Sequence, residues 1–222
     1  MRMYASYIDQ EIVDPEGIML SKEKVNETID FLEHIDSKLF TKSSTQFACI
    51  HGDPHNGNLL FSGFDVSNGI DEDEVTKSGK CTLIDYELAF DAPYVYELAG
   101  FFYSNTSYPR KYAEEYMRDK NYQRCIIKTY LESFRKTWNE ENPLKVKMPK
   151  VMEKDVEEFL KLMPYATLIY SYLMVMIQIE YFSSSKTSVD PRETLRCEYE
   201  SFRKVYSEIF GDKSLKDASE FL

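Results

Sequence analysis

The stretch that most constrains this chain is Ile50-His51-Gly52-Asp53-Pro54-His55-Asn56-Gly57-Asn58-Leu59-Leu60-Phe61. Apolar runs flank its polar centre: Phe47 to Ile50 leads in and Leu59 to Phe61 leads out. Runs of this length bounded by turn residues read as short strands. A third run, Cys81 to Ile84, reads as the returning strand and delivers Asp85-Tyr86-Glu87 at its end. The pattern predicts one rigid β-hairpin that presents Asp53, Asn58 five residues later, and Asp85.

Those three side chains match the needs of phosphoryl transfer from ATP. The reaction wants a carboxylate to orient the acceptor hydroxyl and take its proton. It also wants an Asn and a second Asp to hold the magnesium ions that bridge the phosphates. A strand end leaves Asp85 both exposed and firmly held, as a metal ligand requires. A lone His-x-Asp carries little information in a chain with three His and 38 acidic residues. His51-Gly52-Asp53 with Gly57-Asn58 and a following strand-end Asp is far more specific. The bland alternative is a polar turn in which Asp53 and Asn58 bond only to the local backbone.

Taken together, H-G-D-x-x-x-G-N-x-L and I-D-Y-E resemble the choline/ethanolamine kinase and aminoglycoside phosphotransferase group, small-molecule kinases with a protein-kinase-like fold. Ile84-Asp85-Tyr86-Glu87 and the later Glu97-Leu98-Ala99-Gly100-Phe101-Phe102 look closer to choline/ethanolamine kinase. The resemblance implies an α+β fold: the mainly helical C-terminal lobe of a kinase, carrying a small β-hairpin. It implies Asp53 as catalytic base, Asn58 and Asp85 as magnesium ligands in an ATP site, and His51 as a structural bracket of the loop. Tyr86, Glu87 and Glu97 are weaker candidates for substrate contact. Glu97 stands where the family has the Asp of its F-D-I motif. The implied acceptor is a small amino alcohol, phosphorylated as a first step of phospholipid head-group synthesis.

The rest of the chain fits one domain over residues 1–222, long enough for a proper core. Residues 1–20 form a lead-in with no assignable pattern. Val25, Ile29, Leu32, Ile35 and Leu39 predict a helix over 21–40, with Ser21 as N-cap and Glu23, Lys24, Glu27 and Glu33 outside. The catalytic and metal-binding hairpin occupies 46–88, and a helical subdomain follows over 92–222. The segment from Ser62 to Lys80, with Asp71-Glu72-Asp73-Glu74, reads as a solvated loop lacking calcium-ligand spacing. Pro93 reads as a helix start, with a helix from Tyr94 to Phe102. Further helices are expected at Tyr112–Met117, Tyr122–Trp138 and Val151–Tyr181, the last split near Pro164. A final helix runs from Pro191 to Phe210 and closes at Gly211.

A net charge of −11 and a pI near 4.9 speak against a nucleic-acid partner. Four scattered cysteines show no zinc spacing. Cys49 and Cys81 are expected as small buried hydrophobes, and reduced thiols point to a cytoplasmic protein. No signal peptide is visible at Met1 to Gln10. The most apolar segment, Met163 to Ile179, is expected to be a buried helix that falls short of a membrane span.

For the acceptor's ammonium, Tyr86, Tyr103, Tyr108, Trp138, Tyr170 and Tyr172 are available, although most of the 17 Tyr and 14 Phe must be core or surface. The family's W-x-x-W-S-x-x-Q-A segment has its counterpart in Ile169-Tyr170-Ser171-Tyr172, through to Gln178, without Trp. Ser104 stands close to where the family tends to carry a Glu. The family's glycine-rich ATP-binding N-terminal lobe has no counterpart before His51. Three explanations stay open: a fragment of a longer product, a shortened homologue, or a second chain that supplies the missing part; the expected partner is a homodimer mate or a chain bringing that lobe. Two other readings stand beside the first: an aminoglycoside-phosphotransferase-like kinase with another acceptor, and a truncated non-catalytic pseudokinase module.

Overall fold

The computed structural model describes residues 12–13, 19–40, 47–62, 80–106, 119–184 and 191–221. The architecture is α+β: small two-stranded antiparallel sheets against a larger helical body. Strands β1 (Ile12–Val13) and β2 (Met19–Leu20) pair in the lead-in, where the sequence shows no pattern. Helix α1 (Lys22–Leu39) begins as expected, with Ser21 Oγ accepting from the Lys24 amide at 3.2 Å. Val25, Ile29, Leu32 and Ile35 are completely buried, while Glu23, Lys24, Glu27 and Glu33 face water.

The expected single hairpin is in fact two ladders. Strand β4 (Leu59–Ser62) pairs with β5 (Lys80–Leu83), Leu59 opposite Leu83. Strand β3 (Phe47–Ile50) pairs instead with β6 (Phe90–Pro93), Phe47 opposite Pro93 and Ile50 opposite Phe90. The chain between β3 and β4 turns at Gly52 and through a 3₁₀ turn, Asn56–Asn58, which separates the two strands. Residues 90–93, expected as a run into a helix, are strand. In a two-stranded ladder both strands are edges, so Pro93 can end one without removing an inner bond. Cys49, expected inside, is exposed opposite Asp91. Ile50, Ala92 and Pro93 of this ladder are buried. Cys81's side chain, Tyr108, the Tyr112–Met117 helix and the acidic run at 71–74 lie outside the described residues.

Helix α2 (Val95–Thr106) follows β6 directly. Helix α3 (Lys120–Glu141) is capped by Asp119, which accepts from the Asn121 amide at 2.8 Å. Helix α4 (Glu153–Ser184) runs unbroken through Pro164, against the expected split. Pro164 removes one hydrogen bond, but its ring lies on the exposed side and both halves of the helix are packed. Helix α5 (Pro191–Phe210) stops at Gly211, whose φ of 64° suits a residue without Cβ. A short helix, α6 (Leu215–Phe221), was not expected. Ser214 Oγ accepts from the Asp217 amide and donates to its carboxylate, a capping arrangement readable in Ser-x-x-Asp.

Helix α4 is the centre of the body. It packs on α1, α2, α3 and α5. By length and composition its Glu153–Glu180 portion is apolar enough to cross a membrane, a test that a core helix also passes, and here it packs among the other helices, as expected of a buried helix. Aromatic contacts knit the bundle, with Tyr172 on Phe202 at 4.8 Å and Phe31 on Phe210 at 5.6 Å between ring centroids. Leu168 is wholly buried in α4. Leu168→Ala should therefore lower stability by about 2–5 kcal/mol, read from the urea midpoint.

Candidate active site

The loop after β3 is shaped by Gly52. Its φ is 84°, and a Cβ there would lie 2.2 Å from the Leu88 carbonyl oxygen. Both the backbone conformation and the close approach exclude a side chain. The turn brings His51 inward, 3% exposed. His51 Nε2 stands 2.7 Å from the Ile84 carbonyl, and Nδ1 accepts from the Asp53 amide at 3.3 Å. A carbonyl can only accept, so this pair of bonds fixes the tautomer with the hydrogen on Nε2. One ring joins the Asp53 loop to the strand end that carries Asp85. The edge of Tyr86 closes on the same ring at 4.8 Å.

Asn58 is buried beneath Asp53. Its Nδ2 donates to the Asp53 carbonyl at 3.0 Å and stands 3.5 Å from Asp53 Oδ2. The Asn58 carbonyl accepts from the Ile84 amide at 3.0 Å. Asp53, Asn58 and the approach to Asp85 thus form one hydrogen-bonded unit. The local-turn alternative accounts for the Asn58–Asp53 bonds but not for the cross-links to Ile84. His55 Nε2 lies 3.5 Å from Asp53 Oδ2, on the open side.

Asp85 is exposed in the left-handed region, with φ 67° and ψ 65°, the one non-glycine residue at positive φ among those described. Asp tolerates that region better than most residues, yet the conformation costs energy and marks sites whose geometry matters. Tyr86 and Glu87 follow on the 3₁₀ turn and are both exposed.

Glu97, expected on the substrate side, is engaged elsewhere. From the first turn of α2 its Oε2 accepts from the amides of His51 and Gly52 at 3.0 and 3.3 Å. Burial raises its pKa above the ordinary carboxylate value, although those amides pull the other way. It acts as a peg beneath the loop.

Magnesium prefers hard oxygen ligands and keeps waters and phosphate oxygens in its shell, so few protein donors suffice. The Asp85 carboxylate and the Asn58 amide oxygen fit that need, with Asn58 Nδ2 already committed to Asp53. Among the described residues no group of three or more His, Cys, Asp or Glu could hold a metal by itself.

Among the described aromatic candidates for an ammonium, Tyr86 stands open beside the site. Tyr103, Tyr170 and Tyr172 are buried in the bundle, and Trp138 lies at the end of α3 beneath Lys145. Sequence reasoning missed Gly100 and Glu198. A Cβ at Gly100 would lie 2.6 Å from the Tyr170 ring and 3.2 Å from Pro54, so this glycine lets the loop settle on α4. Glu198 accepts from the Tyr103 hydroxyl, and burial raises its pKa. Its signal was an acid on the apolar Leu195/Phe202 stripe of α5. A cleft of about 700 Å³ among α2 to α5, lined by Tyr103, Arg124, Leu160, Met163 and Lys204, includes none of the loop residues.

No protein-family profile matches the sequence, and no curated protein matches it either. Among solved structures, an ethanolamine kinase of Plasmodium vivax superposes with a TM-score of 0.58 at 11% identity. The match covers 86% of this chain and 41% of that one, so this chain spans less than half the length of that kinase. The likeness is one of fold: the chain folds like part of that kinase.

Two predictions follow from the loop. Gly52→Ala should disorder it and remove the downfield signature of a buried His51 ring N–H in proton spectra. For Glu97 the folded pKa is raised, so its contribution is fullest below the unfolded value near 4.5 and is lost as pH rises through the folded value. The stability of wild type minus that of Glu97→Gln should therefore fall as pH rises through that window, in paired urea titrations.

Proposed function

We propose that this chain carries the catalytic loop of an ATP-dependent kinase of the choline/ethanolamine type, which phosphorylates the hydroxyl of an amino alcohol for head-group synthesis. One observation carries the reading: His51 and Asn58 lock Asp53 and the approach to Asp85 into a single hydrogen-bonded unit. The likeness of fold to an ethanolamine kinase supports it.

In this reading Asp53 aligns the acceptor hydroxyl and takes its proton at the carboxylate, while Asn58 fixes its rotamer from below. Asn58 and Asp85 would hold magnesium, which when bound would supply positive charge to the phosphates of ATP. Tyr86 and Glu87 offer an aromatic face and a carboxylate to the ammonium of the acceptor. Leu60, Ile84 and Phe90 are exposed around the site, an apolar floor suited to a covering lobe supplied by a further segment or a second chain. The same reading puts the protein in the cytoplasm, where the four cysteines of the sequence would stay reduced.

The test is phosphate transfer from Mg·ATP to choline, ethanolamine and an aminoglycoside by the purified chain. Asp53→Asn should cut the rate about 10²- to 10⁴-fold with little loss of stability. Asp85→Ala should raise the magnesium concentration needed for half-maximal rate. Transfer undiminished in Asp53→Asn would sink the assignment, and a preference for the aminoglycoside would move the acceptor to the other branch.

A further inference from the structure

The connection between α3 and α4, residues 142–152, is built unlike a solvated loop. It reads Asn142-Pro143-Leu144-Lys145-Val146-Lys147-Met148-Pro149-Lys150-Val151-Met152, with three lysines and no carboxylate in a chain of net charge −11. Leu144 is 100% exposed, Val146 92% and Met152 58%. Apolar side chains wholly in water at the tip of a loop have no folding role there.

The loop is also clamped. Asn139 brackets Met148 on both sides, accepting from its amide at 2.7 Å and donating to its carbonyl at 3.1 Å. Arg135 Nη1 donates to the carbonyls of Pro149 and Lys150 and to Asp155 Oδ2, at 3.0 to 3.2 Å. Asp155 Oδ2 in turn accepts from the Met152 amide at 2.8 Å. The Lys145 amide donates to the Asn142 carbonyl, and its ammonium lies 4.9 Å from the centre of the Trp138 ring. The backbone is held firmly while Leu144, Val146, Lys147 and Lys150 point outward into solvent.

We propose that this loop docks the protein on membranes rich in anionic phospholipid. Leu144 and Val146 enter the head-group layer, and Lys147 and Lys150 pair with lipid phosphates. Fully exposed aliphatic side chains interleaved with lysines suit a surface that offers phosphates and an apolar layer together, which is an anionic bilayer. The attraction is local. Glu140, Glu141 and Glu153 flank the loop and the chain as a whole is acidic, so contact must be confined to this tip and must weaken with salt.

Trp138, the chain's sole tryptophan, sits under the loop and serves as a reporter. The test is co-sedimentation with vesicles of phosphatidylcholine mixed with phosphatidylserine, against phosphatidylcholine alone, with Trp138 emission followed in parallel. Wild type should sediment with the mixed vesicles and shift its emission to the blue. Each lysine removed in Lys147→Gln and Lys150→Gln should lower partition about five-fold. Leu144→Asp/Val146→Asp should abolish it, and circular dichroism should show the fold unchanged because both sites are exposed. Absence of vesicle binding by folded wild type, or binding that these variants leave unaltered, would overturn the proposal. So would a dimer that Leu144→Asp/Val146→Asp breaks without any vesicle binding, which would make the loop a contact between copies.

Discussion

The imidazole of His51 is shared by two pieces of structure that have no strand pairing in common. Its backbone continues β3, which belongs to the ladder with β6; its ring bonds to Ile84, at the end of the ladder of β4 with β5. Two short ladders have little stability of their own, and each alone would drift against the other. A buried ring satisfied at both nitrogens removes that freedom, because displacing it would strand polar atoms away from water. The relative placement of Asp53 and Asp85 therefore depends on this residue more than on either sheet.

The helical body supplies the second constraint. Glu97 rises from α2 to hold the His51 and Gly52 amides, and Gly100, one turn further along, lets Pro54 and the Tyr170 ring approach. One helix thus supports the loop at two points. Helix α4 is held on several sides by other helices, which explains how it carries Pro164 without breaking. Tyr96 on α2 reaches Asp36 on α1, tying the first helix to the same support. The site is small, but the scaffold that fixes it extends through most of the described body.

Much of the site was legible because its chemistry is local. His51, Asp53 and Asn58 fall within eight residues, and Asp85 follows a strand that periodicity reveals. Helices α1, α3 and α5 were legible from their apolar stripes and end signals. What escaped was pairing between distant segments. Nothing in Phe90-Asp91-Ala92-Pro93 announces that it will pair with Phe47–Ile50, and proline there argues for a helix start. Glu97 was seen as an acid near a motif, but its partners lie 45 and 46 residues earlier in the chain. Whether an acid faces substrate or pins a backbone depends on tertiary placement, which spacing does not encode. Glu198 could have been noticed as an acid on an apolar stripe, but its partner Tyr103 could not.

The left-handed backbone at Asp85 narrows which residues can ever stand there. Glycine or asparagine would accept the torsion angles but bring no carboxylate. Glutamate would bring the charge on a longer arm, with a less comfortable backbone and a carboxylate displaced from the strand end. Aspartate joins the short reach to the tolerated conformation. A substitution at this position thus has few workable choices, and the limit is set by stereochemistry as much as by charge.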